Sequence, residues 1–152
     1  DSYKINIMSE IHIYTDGGAS PNPGKGGWGV AILKDGEKLN ELSGGEPQTS
    51  NNRMELIAAI KGLEAIEPDQ PAILFTDSNY VRQGITSWIK SWKANGWRTA
   101  AKKPVKNQDL WVALDAVVAQ RQVTWQWVKG HAGNEWNEYV DGLVHTAREN
   151  LG

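Results

Sequence analysis

The 152-residue chain has no cysteine, which excludes a disulfide framework and a thiolate metal site. That absence fits a reducing compartment, and a cytoplasmic location is expected from it. No apolar run approaches the ~20 residues of a membrane span and no secretory signal is evident, so no membrane partner is expected. Acid is missing from one long stretch. Between Asp77 and Asp109 there is none, while Arg82, Lys90, Lys93, Arg98, Lys102, Lys103 and Lys106 supply seven positive charges. The formal net charge of -2 therefore conceals a polarity, because the other nine bases and eighteen acids leave the rest of the chain at -9. Trp88, Trp92 and Trp97 are interleaved with the basic residues, a pattern that points toward nucleic acid rather than a plain solvated face.

Along the chain, residues 1–9 are polar and mixed, with Met8 read as the natural start and the residues before it as an expression remnant. Residues 10–152 are expected to form one domain. Ile11 and Ile13 alternate with His12 and Tyr14 as a strand does, and the run stops at Asp16 before Gly17 and Gly18, which reads as a turn. Residues 22–27 read as a turn, 28–33 as a second strand, and Asp35-Gly36 as a hairpin into a third strand over 38–43. Residues 44–49 read as a loop. Ser50 is a good N-cap for a helix to about Glu67, with Leu56, Ile57, Ile60 and Leu63 on one face and Glu55 in its first turn.

The apolar run 72–76 reads as a strand buried on both faces, and it ends at Thr76-Asp77 as the first ends at Thr15-Asp16. Helical segments are expected through Ile85 and again over 88–93, then a Gly96-Trp97 turn and a basic loop to Lys106. A helix from Asn107 or Asp109 to Gln120, a strand over 123–128, a glycine-bracketed loop over 129–133 and a helix over 135–150 complete the chain. The order implies an α/β fold, a mixed sheet with helices packed on it.

Asp16, Glu55, Asp77 and Asp141 stand at comparable places near element ends, and we expect them to converge. Clustered carboxylates repel, and burial raises at least one pKa unless cations neutralise the site. An all-oxygen set suits Mg²⁺ or Mn²⁺, and two such ions can activate water and stabilise the leaving oxygen of a phosphodiester.

Thr15-Asp16-Gly17, Asn51-Asn52-Arg53-Met54-Glu55-Leu56, Thr76-Asp77-Ser78-Asn79-Tyr80-Val81 and Trp127-Val128-Lys129-Gly130-His131-Ala132-Gly133, with Asn137, Glu138 and Asp141 beyond, resemble the motifs of type-1 ribonuclease H. The resemblance runs from about Ile11 to Ala147 and is closest to the bacterial enzymes. It implies a ribonuclease H-like fold, a five-stranded mixed sheet of three antiparallel strands followed by parallel additions, with helices on both faces. It implies an endonuclease that hydrolyses the RNA strand of RNA/DNA hybrids, leaving 5′-phosphate and 3′-hydroxyl ends. Asp16, Glu55, Asp77 and Asp141 match the family's ligands to two Mg²⁺ ions, and His131 its loop histidine, which assists proton transfer or product departure.

Residues 88–106 match the family's basic handle, here carrying Lys90, Lys93, Arg98, Lys102, Lys103 and Lys106, with Trp88 as the aromatic of the DNA-strand channel. Gly17, Asn22, Asn51, Asn52 and Asn79 fall where the family meets the hybrid, and Ser50 and Asn107 lie near its DNA-phosphate pocket. Binding is expected to be sequence-independent and salt-sensitive. A monomer is expected.

The chain departs from the family pattern at Gly18-Ala19, at Gln48 where some members place a basic phosphate ligand, and at Gly142-Leu143-Val144 after Asp141. It carries no separate hybrid-binding module, so processivity is expected to rest on the handle. Competing readings are a silent hybrid-binding scaffold, opposed by the four carboxylates, and a DNA nuclease or transposase core, opposed by the handle and the Gly-His loop.

Overall fold

A computed structural model describes residues 10–129 and 134–151. Three strands, β1 (Ile11–Ala19), β2 (Gly24–Lys34) and β3 (Glu37–Thr49), form an antiparallel meander. Helix α1 (Asn51–Glu64) then leads to β4 (Ala72–Thr76), which pairs parallel to β1 and receives β5 (Val123–Trp127) parallel on its far side. The sheet order is β3-β2-β1-β4-β5, the five-stranded mixed sheet expected.

Alternation along the strands creates two packed faces. Ile13, Val30 and Leu74 point to one side, where they meet Leu56 and Leu63 of α1 together with Trp111 and Leu114, all without solvent exposure. Trp111 and Leu114 belong to α4 (Gln108–Ala119). Ala31 and Leu33 point to the other side and pack with Val140 of α5 (Glu135–Glu149). Between β4 and α4 run α2 (Asn79–Gln83), a π-helical segment (Gly84–Trp88) and α3 (Ile89–Ala94). No helix among the described residues is long and apolar enough to cross a membrane.

Four expectations need correction. The first strand does not break at Asp16, which pairs with Gly29 inside β1. Residues 24–27 and 44–49 are strand rather than turn and loop, with Gly27 opposite Gly45 and Trp28 opposite Gly44. The glycines there mark close packing instead of reversals: a Cβ on Gly27 would stand 2.4 Å from the Val144 carbonyl oxygen, and one on Gly44 2.8 Å from the Trp28 ring. The expected interruption between Ile85 and Trp88 is a π-helical turn without a break, beginning at a glycine whose Cβ would strike the Trp111 ring at 1.9 Å. Strand β4 is fully buried on one face only, because Ile73 and Phe75 stay half-exposed on the side where Phe75 stacks on Tyr14 at 4.3 Å.

Candidate active site

The parallel pairing of β1 with β4 sets Tyr14 opposite Phe75, so Asp16, still within β1, and Asp77, just past the end of β4, come side by side. Helix α1 brings a third acid to them. Its N-cap is Ser50, whose Oγ accepts the Arg53 N–H at 3.2 Å. Glu55 lies in the second turn, not the first, so tertiary position rather than the helix dipole accounts for it. Helix and strand approach closely here because of Gly17: a Cβ on it would lie 2.4 Å from the Met54 carbonyl carbon and 2.6 Å from the Glu55 nitrogen.

Oxygens of Asp16, Glu55 and Asp77 consequently gather within 4.8 Å of one another. Asp16 Oδ1 accepts the Gly17 N–H at 2.9 Å. Burial first, then the charge of Asp77 and more weakly that of Asp141, push the Asp16 carboxyl up to about 8 against the opposing pull of that N–H. Burial, then Asp16 and Asp77, hold the Glu55 carboxyl well above its ordinary range. Glu55 is 8% exposed, and its Oε1 is buried without a hydrogen-bond partner among the described residues. An unsatisfied buried acceptor among carboxylates that resist ionising is the signature of a site completed by a cation. The donor set, all oxygen, fits a hard divalent ion.

Asp141, on α5, stands outside the 4.8 Å triad but lines the same cleft, of about 460 Å³, and acts on the charge of Asp16. The cleft also takes in Gly17, Asn51, Asn52 and Asn79. Asn51 Oδ1 accepts the Ala19 N–H at 2.6 Å, and its own N–H donates to Asn22 Oδ1 at 3.0 Å. Both amide oxygens thus have internal partners, while the NH₂ groups have none among the described residues.

Trp88 and Asn107 do not line the cleft. They reach it through Tyr80, which does: its hydroxyl accepts Asn107 Nδ2 at 3.2 Å and Trp111 Nε1 at 2.9 Å, and its ring meets Trp88 edge-on at 5.7 Å. Ser50 serves α1 as its cap. His131 lies outside the described residues. Sequence reasoning gave no role to Tyr80, His145 or Arg148, all of which line the cleft. The last two follow Asp141 at i+4 and i+7, a helical spacing that was available as a signal.

The handle carries its cations outward. Lys90, Lys93, Arg98, Lys102, Lys103 and Lys106 are all exposed, on α3 and on a hairpin closed by the Arg98–Pro104 bridge and by Thr99 N–H donating to the Lys103 carbonyl at 2.8 Å. Its tryptophans pack inward: Trp92 lies 5.7 Å from Trp88 and 5.4 Å from Trp111.

A mixed five-stranded sheet with carboxylates gathered at its β1–β4 junction defines the class to which the chain is to be compared. Residues 8–149 match the family model described as RNase H, and the chain belongs to that family. It is 62% identical over 140 residues to ribonuclease H of Bradyrhizobium diazoefficiens, covering 90% of each chain. Against ribonuclease H of Nitrobacter hamburgensis it is 59% identical over 139 residues, covering 91% of each. Among solved structures, LC9-RNase H1, described as a type 1 RNase H with the type 2 active-site motif, superposes with a TM-score of 0.83 at 30% identity over 95% of this chain and 74% of that one. LC11-RNase H1 in complex with RNA/DNA hybrid shares the fold, with a TM-score of 0.72 at 24% identity over 93% of this chain and 99% of that one.

Proposed function

We propose that this chain is an endoribonuclease that hydrolyses the RNA strand of RNA/DNA hybrids, leaving 5′-phosphate and 3′-hydroxyl ends. The observation that carries the reading is the carboxylate triad, whose buried member Glu55 has an Oε1 without a hydrogen-bond partner among the described residues. Asp16, Glu55, Asp77 and Asp141 would hold two Mg²⁺ ions, with Mn²⁺ as the alternative. When bound, such ions supply an activated water and charge stabilisation for the leaving oxygen.

The chain's own contribution is geometry. Asp16 is fixed within β1 by its pairing with Gly29, Asp77 by its place directly after β4 and Glu55 by burial under the sheet, and a cation bound among them would relieve their mutual repulsion. The NH₂ ends of Asn22 and Asn51, with Asn52 and Asn79, donate to sugar and base-edge acceptors of the hybrid's minor groove. Gly17 lies at the cleft beside the path of the RNA strand, and Ser50 and Asn107 stand near a DNA phosphate. Trp88, packed on one side against Tyr80 and Trp92 and only partly buried, offers its exposed part to the deoxyribose strand, and the handle attracts phosphates without reading sequence. His131 assists proton transfer or product departure. Since one chain supplies all four carboxylates, a monomer suffices. We read the protein as one ribonuclease H domain over 10–152 acting in the cytoplasm.

The test is cleavage of a labelled RNA/DNA hybrid beside single-stranded RNA, duplex RNA and duplex DNA, with Mg²⁺ and with chelator. Metal-dependent cutting of the hybrid's RNA strand alone is expected. Hybrid binding without cleavage would leave a silent scaffold, and cleavage of duplex DNA alone a different nuclease.

A further inference from the structure

Asp141 differs from the other three acids in what holds it. Asp16 has the Gly17 N–H, Glu55 is buried, and Asp77 directly follows the paired strand β4, whereas the Asp141 side chain is 36% exposed on a helix edge. Two residues on the same helix face stand behind it. Arg148 Nη2 lies 2.7 Å from His145 Nδ1, and His145 Nε2 lies 3.5 Å from Asp141 Oδ2. A guanidinium has donors and no acceptor, so Nδ1 of His145 must accept, and the neutral ring then carries its proton on Nε2. That nitrogen lies on the Asp141 side, in a polar contact longer than a hydrogen bond but close enough for its N–H dipole to attract the carboxylate. Arg148 thus selects the one neutral tautomer that can restrain Asp141.

We propose that His145, oriented by Arg148, is a positioning residue that holds Asp141 toward the cleft for a divalent cation. The inference rests on the metal-dependent reading above. Outer partners of this kind fix the direction of a ligating carboxylate without touching the ion. Plain electrostatics makes the opposite forecast for Arg148. It is a cation beside an acidic cleft, so its removal by itself should tighten cation binding.

Calorimetric titration of Mg²⁺, and separately Mn²⁺, into the free protein reads the effect directly. The Mg²⁺ dependence of hybrid cleavage is the second readout. His145→Leu is expected to weaken cation affinity about tenfold, the low end for outer-shell partners, and to raise the Mg²⁺ needed for half-maximal rate similarly, with KM for hybrid unchanged. His145→Gln, which can present an amide donor in nearly the same place, should recover most of the loss. Arg148→Met should weaken binding less than His145→Leu. The double variant should be no weaker than His145→Leu alone, because the two residues act in series.

Unchanged affinity in His145→Leu, or tighter binding in Arg148→Met, overturns the proposal. If Asp141→Asn weakens cation binding while His145→Leu does not, the site stands and the positioning role falls. A wild-type protein that neither binds the cation nor cleaves hybrid overturns the active-site reading itself. His145 is exposed, so its variants should keep the wild-type melting temperature.

Discussion

The acidic cleft and the basic handle carry opposite charge and are built on opposite principles. In the cleft, three carboxylates are packed within 4.8 Å, drawn from strand β1, the residue just past β4 and a helix that a glycine lets approach, and the ionisation of Asp16 and Glu55 is resisted. In the handle, the cations all face solvent. Lys93 forms a 3.1 Å ion pair with Asp115, and Arg98 Nη1 donates to the Lys102 carbonyl at 3.2 Å. Buried like charges interact strongly and tolerate no displacement, whereas exposed charges act at a distance, are screened, and can substitute for one another. The cleft therefore suits chemistry at fixed atoms, and the handle suits attraction to a polyanion of any sequence.

That contrast is broken most severely by a single substitution in the cleft. Asp16→Asn should lower the turnover of hybrid on the order of a thousandfold or more, as loss of one member of a unit that acts together does. Hybrid affinity, measured by gel shift or anisotropy, should stay within about threefold of wild type, since phosphate contacts dominate it. Wild-type turnover in Asp16→Asn would show that the carboxylates are not the reactive site.

The handle should respond in the other sense. Replacing Lys102, Lys103 and Lys106 together by Ala should weaken hybrid binding and flatten its salt dependence, by about 0.9 in log–log slope for each phosphate that the variant no longer neutralises. The rate at saturating hybrid should hardly change, and each single substitution should have a small effect. A fall in kcat with affinity intact would mean that the handle aligns the substrate rather than merely attracting it.

How much of this could be read from the sequence follows the same division. Strand β4 and helix α1 declare themselves by apolar pattern and by the Ser50 cap, and the repeated Thr-Asp marks the two carboxylates that meet because β1 and β4 are neighbours, although the first of them lies inside its strand rather than at its end. The run of exposed cations needs no structure at all. The glycine-rich halves of the meander mislead, because glycine that admits a helix or a Trp ring looks, in one dimension, like glycine that reverses the chain. Glu55 suggests a helix terminus when its position is tertiary. Tyr80, which ties the cleft to Trp88 and Asn107, is invisible in the sequence because its hydrogen-bond partners lie 27 and 31 residues away.

The strain in the cleft has a titration signature. Asp16 is raised from 3.8 to about 8 in the folded state, so between those values the unfolded chain has lost a proton that the native protein keeps. Stability of the metal-free protein should therefore be highest at the acid end of that window and fall as pH rises toward 8. Glu55 is raised as well and adds in the same direction. Thermal melts in chelator over this range should show the decline, Asp16→Asn should flatten it, and excess Mg²⁺ should offset it at the alkaline end by binding the ionised form. Metal-free stability that rises from pH 5 to 8 would contradict the buried, mutually repelling arrangement.

The smallest effect tests whether the cleft depends on the rigidity of its outermost element. Gly142 follows Asp141 in the interior of α5, is exposed, and has no atom within 4 Å of where a Cβ would stand. Gly142→Ala should thus stabilise the protein by about 0.5–1 kcal/mol through helix propensity alone, about 1–4 °C in melting temperature for a chain of this size. Turnover should move by less than about twofold, because α5 is already anchored on the sheet by Val140 and Val144 and the set of the Asp141 side chain comes from its neighbours, not from backbone propensity. A rate increase well beyond that, with the same gain in stability, would mean that fraying around Asp141 limits the reaction. The helix would then belong with the handle, as an adjustable part, rather than with the fixed acids of β1, β4 and α1.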